Sequence, residues 1–129
     1  MDNSNLKNLL IEFLAEEGYR HKETNFGLEF KSNGLTILFI NSSNDEQIFQ
    51  LILPGIYEMN DENELAVLQA ANKVSYEFKV VKAYVDNDND VNVSFQILAD
   101  STPELNELMP RAIRMLEQAR ADFYRNLGV

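Results

Sequence analysis

The stretch from Val91 to Ala99 alternates Val91, Val93, Phe95, Ile97 and Ala99 with Asn92, Ser94 and Gln96. Successive strand side chains point to opposite faces, so this period of two predicts a strand with one apolar and one polar side. Such a strand cannot be stable alone; it needs partners beside it and a cover over its apolar side. The chain supplies the partners. Val81, Ala83 and Val85 alternate with Val80, Lys82 and Tyr84, and the acidic loop Asp86-Asn87-Asp88-Asn89-Asp90 joins the two strands as a hairpin. Upstream, Phe26, Leu28 and Phe30 alternate with Gly27, Glu29 and Lys31. Ser32-Asn33-Gly34 follows, and Asn-Gly is a strong hairpin signal because both residues tolerate positive φ. The strand from Leu35 to about Asn41 is apolar on both sides, with Leu35, Ile37 and Phe39 on one and Leu38 and Ile40 on the other. A polar turn at Ser42-Ser43-Asn44-Asp45-Glu46 leads to a strand from Gln47 to about Leu53, where Pro54 and Gly55 are expected to interrupt the ladder.

The cover comes from three segments of helical period. Leu6, Leu9, Leu10, Phe13 and Leu14 fall on one stripe, with Ser4 or Asn5 as cap and Gly18 as terminator. Asp61 is the expected cap of a second helix, with Glu62 and Glu64 in its first turn. Its apolar stripe runs through Leu65, Leu68, Ala71, Val74 or Ser75, and Phe78, while Ala66, Ala70 and Ala71 permit close approach. Asn72 within it either makes a specific hydrogen bond or faces solvent. Thr102 and Pro103 open the last helix as cap and first helical residue, and Leu105, Leu108, Met109, Ala112, Met115, Leu116, Ala119 and Phe123 form its stripe. Pro110 is expected to kink or divide it. The element order is therefore α-β-β-β-α-β-β-α. It predicts one α+β domain over residues 1–129, a five-stranded antiparallel sheet with the first and third helices packed on one face. The second helix joins the two strand sets and contributes to a dimer contact.

Composition narrows the function. With 21 acidic and 11 basic side chains in 129 residues the formal charge is −10, which disfavours nucleic acid as a partner. Cysteine is absent, so no disulfide or thiolate chemistry is available. No apolar run reaches the roughly 20 residues of a membrane span, and Met1-Asp2-Asn3-Ser4-Asn5 does not resemble a signal peptide, so a cytoplasmic location is expected. Asp86, Asp88 and Asp90 have the spacing of the first calcium ligands of an EF-hand, but Val91 and Ile97 stand where that loop needs Gly and Glu. The loop is best described as a polar hairpin turn, with weak cation binding left open. His21, between Arg20 and Lys22, lacks the partners of a catalytic triad and is expected in a loop. No nucleotide, dinucleotide or zinc-protease motif is present, so no catalytic, metal or cofactor residue is assigned and no enzyme is expected.

Two surfaces remain. Arg111, Arg114, Arg120 and Arg125 crowd the last helix, where they either complement the helix dipole or grip an acidic partner. If the helices cover Phe26, Leu28, Ile37, Phe39, Leu51, Ala83 and Phe95, the opposite sheet face carries Leu38, Ile40, Ile52, Tyr84 and Leu98. Set among Thr36, Gln50, Ser94 and Gln96, these five form the candidate partner or dimer surface, unless the second helix crosses over to cover them.

Several stretches carry a family resemblance. Leu10 to Tyr19 (LIEFLAEEGY), Gln50 to Tyr57 (QLILPGIY) and above all Leu68 to Val85 (LQAANKVSYEFKVVKAYV) resemble the YbjN-like family of small bacterial proteins, which share the fold of type III secretion chaperones. The resemblance implies a non-enzymatic protein whose relatives are described as sensory-transduction regulators or chaperone-like binders. The function expected is thus a cytoplasmic protein-binding module, chaperone-like or regulatory, acting as a homodimer through an apolar sheet or helix surface, with the client unnamed. The alternative is a small-ligand or cation-binding sensor, using a pocket between sheet and helix or the Asp86 to Asp90 loop.

Overall fold

A computed structural model describes residues 3–41, 48–99 and 104–129. Along the chain lie α1 (Asn3–Glu16), β1 (His21–Thr24), β2 (Gly27–Ser32), β3 (Leu35–Ile40), β4 (Ile48–Glu58), α2 (Glu64–Glu77), β5 (Val81–Val85), β6 (Asp90–Leu98) and α3 (Leu105–Leu127). The strands form one antiparallel sheet in the order β1-β2-β3-β4-β6-β5. It has six strands, where five were expected. The additional one is β1, and His21 lies in it opposite Phe30 rather than in a loop. Its sequence, His-Lys-Glu-Thr, has no apolar alternation because it is an exposed edge strand held by backbone pairing.

The side chains of Leu28, Phe30, Ile37, Phe39, Leu51, Val93, Phe95, Val81 and Ala83 share one sheet face and are buried. Leu10 and Leu14 of α1, Val67 and Val74 of α2, and Met109, Leu116 and Phe123 of α3 join them in a single core. Aromatic rings run through it: Phe39 and Phe49 lie 5.9 Å apart, Phe49 and Phe95 6.4 Å, and Tyr57 and Phe123 5.8 Å. Phe26, expected in this layer, sits in the β1–β2 turn and is exposed, because the strand begins one residue later.

Other boundaries also moved. α1 already includes Ser4 and Asn5, and the turn at 42–46, Gln47, Thr102 and Pro103 lie outside the described residues. Pro54 and Gly55 do not end their strand: β4 continues to Glu58, with a register shift between Leu53 and Tyr57 that absorbs them as a bulge. α2 begins at Glu64 with Asn63 as cap residue; Asp61 lies in the preceding turn, where Asn60 Oδ1 accepts from the Glu62 and Asn63 amides at 2.9 Å each. Pro110 neither divides nor ends α3, which runs unbroken through it; the residue is exposed, so the Asn106 carbonyl deprived of its helical donor is open to water.

The largest correction concerns α2. Its buried residues are Val67, Ala70, Ala71 and Val74, whereas Leu65 and Leu68 of the expected stripe are exposed, and Asn72 faces solvent. Small side chains face inward because α2 lies close against β5 and α3. Ser75 makes the closest link: its Oγ donates to the Ala83 carbonyl at 3.1 Å and accepts from the Ala83 amide at 2.9 Å, closing the middle of the β5 edge. α2 therefore flanks the sheet and does not cross to its other face.

Two backbone positions predict mutations of opposite sign. A Cβ on Gly27 (φ +148°) would sit 2.1 Å from the Phe39 carbonyl oxygen, so Gly27→Ala should destabilise by about 3 kcal/mol in urea unfolding. Val80, β-branched and half exposed, is held at φ +55°, a conformation that costs an L-residue energy. Val80→Gly should raise stability by about 1 kcal/mol in the same assay.

Candidate partner-binding face

Strand register places the five candidate residues on the sheet face away from the helices. Leu38 stands opposite Ile52, Ile52 opposite Ser94, and Ser94 opposite Lys82. The next row continues with Ile40 on β3 and Gln50 opposite Gln96; beyond it Ile48 stands opposite Leu98. In the other direction Tyr84 stands opposite Asn92. The structure thus brings Leu38, Ile40 and Ile52 together, sets Leu98 at one end, and separates Tyr84 from them by Ser94 and Lys82. Leu38, Ile40, Ile52 and Tyr84 are half-buried, while Leu98 is 73% exposed.

One further residue belongs to this face: Ile48 shares the parity of Ile52, a signal that was present in the alternation. Val80, 49% exposed, borders the sheet: its carbonyl accepts from the Gln96 amide at 3.2 Å and prolongs the β5–β6 pairing by one residue. Its place was hidden because it sits in the left-handed bend between α2 and β5. On α2, Leu65, Leu68 and Tyr76 project outward at helical spacing and form a separate exposed apolar stripe.

The Tyr84 end is polar and rigid. Lys82 Nζ lies 5.4 Å from the Tyr84 ring centroid. Asn92 is buried, its Oδ1 accepting from the Gly55 amide at 2.9 Å and its Nδ2 donating to Asp86 Oδ2 at 2.8 Å. Asp86 Oδ1 accepts from the amides of Asp88 (2.9 Å) and Asp90 (3.1 Å). These bonds, Asn92 foremost, hold the Asp86 carboxyl below the usual range. Burial, aided by the Asp86 charge, pushes the Tyr84 phenol up against the opposing contact with Asn92, so it stays a neutral donor at neutral pH. The three-aspartate loop is therefore a hairpin turn built around the Asp86 carboxylate, and the described residues contain no cluster of three metal-ligating side chains. The arginines of α3 are dispersed: Arg125 pairs with Asp122, Arg120 lies 4.9 Å from the Tyr124 ring, Arg111 is exposed, and Arg114 borders a cleft.

A family model described as "YbjN: Putative bacterial sensory transduction regulator" matches residues 7–128. Among solved structures, YbjN from E. coli superposes with a TM-score of 0.69 at 14% identity, covering 92% of this chain and 88% of its own. An uncharacterized protein from Methanothermobacter thermautotrophicus gives 0.66 at 13% identity, covering 95% of this chain and 96% of its own. No curated protein matches the chain. No helix among the described residues is long and apolar enough to cross a membrane.

The Asp86 network makes a pH prediction. Its folded-state pKa is lowered, so the stability it contributes is complete above the unfolded value and is lost as pH falls through the folded one. Asn92→Ala should lower the urea midpoint at neutral pH and flatten its decline in the acid range. An acid limb as steep as that of the wild type would contradict this.

Proposed function

The chain belongs to the YbjN family, and on that premise we propose that it is a non-enzymatic, cytoplasmic regulatory module that binds protein through its uncovered sheet face, a second copy of itself foremost. The observation that supports this reading is the one-sidedness of the fold. α1, α2 and α3 share one core with a single sheet face, while Leu38, Ile40, Ile48, Ile52 and Leu98 lie on the other, with uncharged neighbours at Gln50, Ser94 and Gln96 and charged ones at its flanks, Glu29 opposite Leu38 and Lys82 opposite Ser94. An apolar centre with a polar and charged rim is the composition of an interface. A two-fold contact needs one patch that complements itself, and a sheet face free of helices offers one. Chaperone-like holding of an extended client would use the same apolar row and compete with the second copy for it.

Light scattering coupled to size-exclusion chromatography tests the reading. The wild type should elute at twice the 14.8 kDa chain mass at micromolar concentration. Leu38→Asp combined with Ile52→Asp places two charges at the centre of the contact and should weaken dimerisation roughly 100-fold, giving a folded monomer. Leu65→Asp with Leu68→Asp, on the outer side of α2, should leave the dimer intact. A wild type that runs at 14.8 kDa throughout the micromolar range would overturn the proposal.

A further inference from the structure

On the helix side of the molecule, away from the face just described, a cleft of about 830 Å³ opens between the turn after α1, the β2–β3 hairpin and the outer side of α3. That volume lies in the range of small-molecule sites. Its apolar lining comes from Tyr19, Pro110 and Ile113. Tyr19 is held there by stacking on Phe13 (6.1 Å) and an edge contact to Phe30 (5.9 Å). The hairpin is tied to α3 across the cleft: Asn33 Nδ2 donates to both carboxylate oxygens of Glu117, at 3.1 and 3.0 Å.

The cleft carries basic groups in an acidic chain. Arg20 and Arg114 line it against Glu17 and Glu117, a balanced set in a protein of net −10, while Lys31 borders it with its ammonium drawn away to Thr36. Among the described residues Lys7, Lys22, Lys73 and Arg125 are ion-paired, but neither Arg20 nor Arg114 is. Glu117 is engaged by the neutral Asn33 amide instead, and Lys31 Nζ donates to Thr36 Oγ1. The end of α1 offers no competing acceptors at Leu14 and Ala15, because Gly18 (φ +78°) turns the chain so that the Tyr19 and Gly18 amides bond those carbonyls at 2.9 and 3.3 Å. Two guanidinium groups with no carboxylate partner among the described residues thus border an apolar-floored cleft.

We infer that this cleft binds a small oxyanion-bearing molecule, a carboxylate or phosphate whose charged end meets Arg20 and Arg114 and whose apolar body lies on Tyr19, Pro110 and Ile113. Guanidinium forks match both head groups. The site is distinct from the partner-binding face, so its failure would leave the dimer proposal standing.

The test is an amide chemical-shift titration of the full chain at constant ionic strength with hexanoate, hexyl phosphate and hexanol. Saturable shifts with at least one anion, centred on Gly18, Tyr19, Asn33 and α3, are expected, and the tighter head group identifies the ligand class. Arg20→Gln with Arg114→Gln, both at exposed side chains, should weaken binding at least tenfold. Arg111→Gln, which removes the same charge from α3 outside the cleft, should leave it unchanged. Absence of saturation with both anions, equal binding of hexanol, or indifference to the Arg20 and Arg114 substitutions would each overturn the inference.

Discussion

Everything in this molecule depends on one inequality: a sheet has two faces, and the chain supplies helices for only one. Burying the row from Leu28 through Phe39, Leu51 and Phe95 under the helices drives the fold, because each large apolar side chain withdrawn from water contributes about 1.5–3 kcal/mol before entropy is counted. The same alternation that fills this core sends every second residue to the other side. Leu38 and Ile52 are there because strands have a period of two, and they are apolar although no helix requires it. Stability explains the first face. The second calls for a use.

The two proposed sites sit on opposite sides of this frame. The apolar row belongs to the centre of the sheet, where neighbouring strands fix its geometry on both sides. The cleft belongs to a corner, where the end of a helix, a hairpin turn and a helix flank meet. Its walls are joined by one side-chain bridge, Asn33 to Glu117, and its shape can respond to a ligand without disturbing the central register. A rigid surface suits a lasting contact and a corner suits an adjustable one, a division that agrees with a family described as sensory regulators.

The sheet was legible in the sequence wherever strands have one wet face. β2, β3 and β6 and the five candidate face residues follow directly from alternation, and register confirms their common side. Three things were not legible, each for a physical reason. β1 carries no apolar pattern, because an exposed edge strand is held by backbone pairing and by ion pairs, Lys22 with Glu29 and Glu23 with Lys7, and not by core burial. α2 offers two apolar stripes, and hydrophobicity favours Leu65 and Leu68. Close approach to β5 buries Val67 and Ala70 beside the expected Ala71 and Val74 and turns Leu65 and Leu68 outward, a choice fixed only once the neighbour is in place. The cleft unites residues from three distant parts of the chain, so no local motif announces it; the one hint was a cluster of arginines in an acidic protein.

The Ser75 hydroxyl on the backbone of Ala83 has a consequence for assembly. Of the two rims of the sheet, it stoppers the middle of the β5 side, leaving β1 as the rim with free backbone groups. Adding a strand on the β5 side would break both of these bonds, a cost that pairing on the β1 side does not carry. A single serine thus gives the two rims of one sheet unequal readiness to accept a further strand.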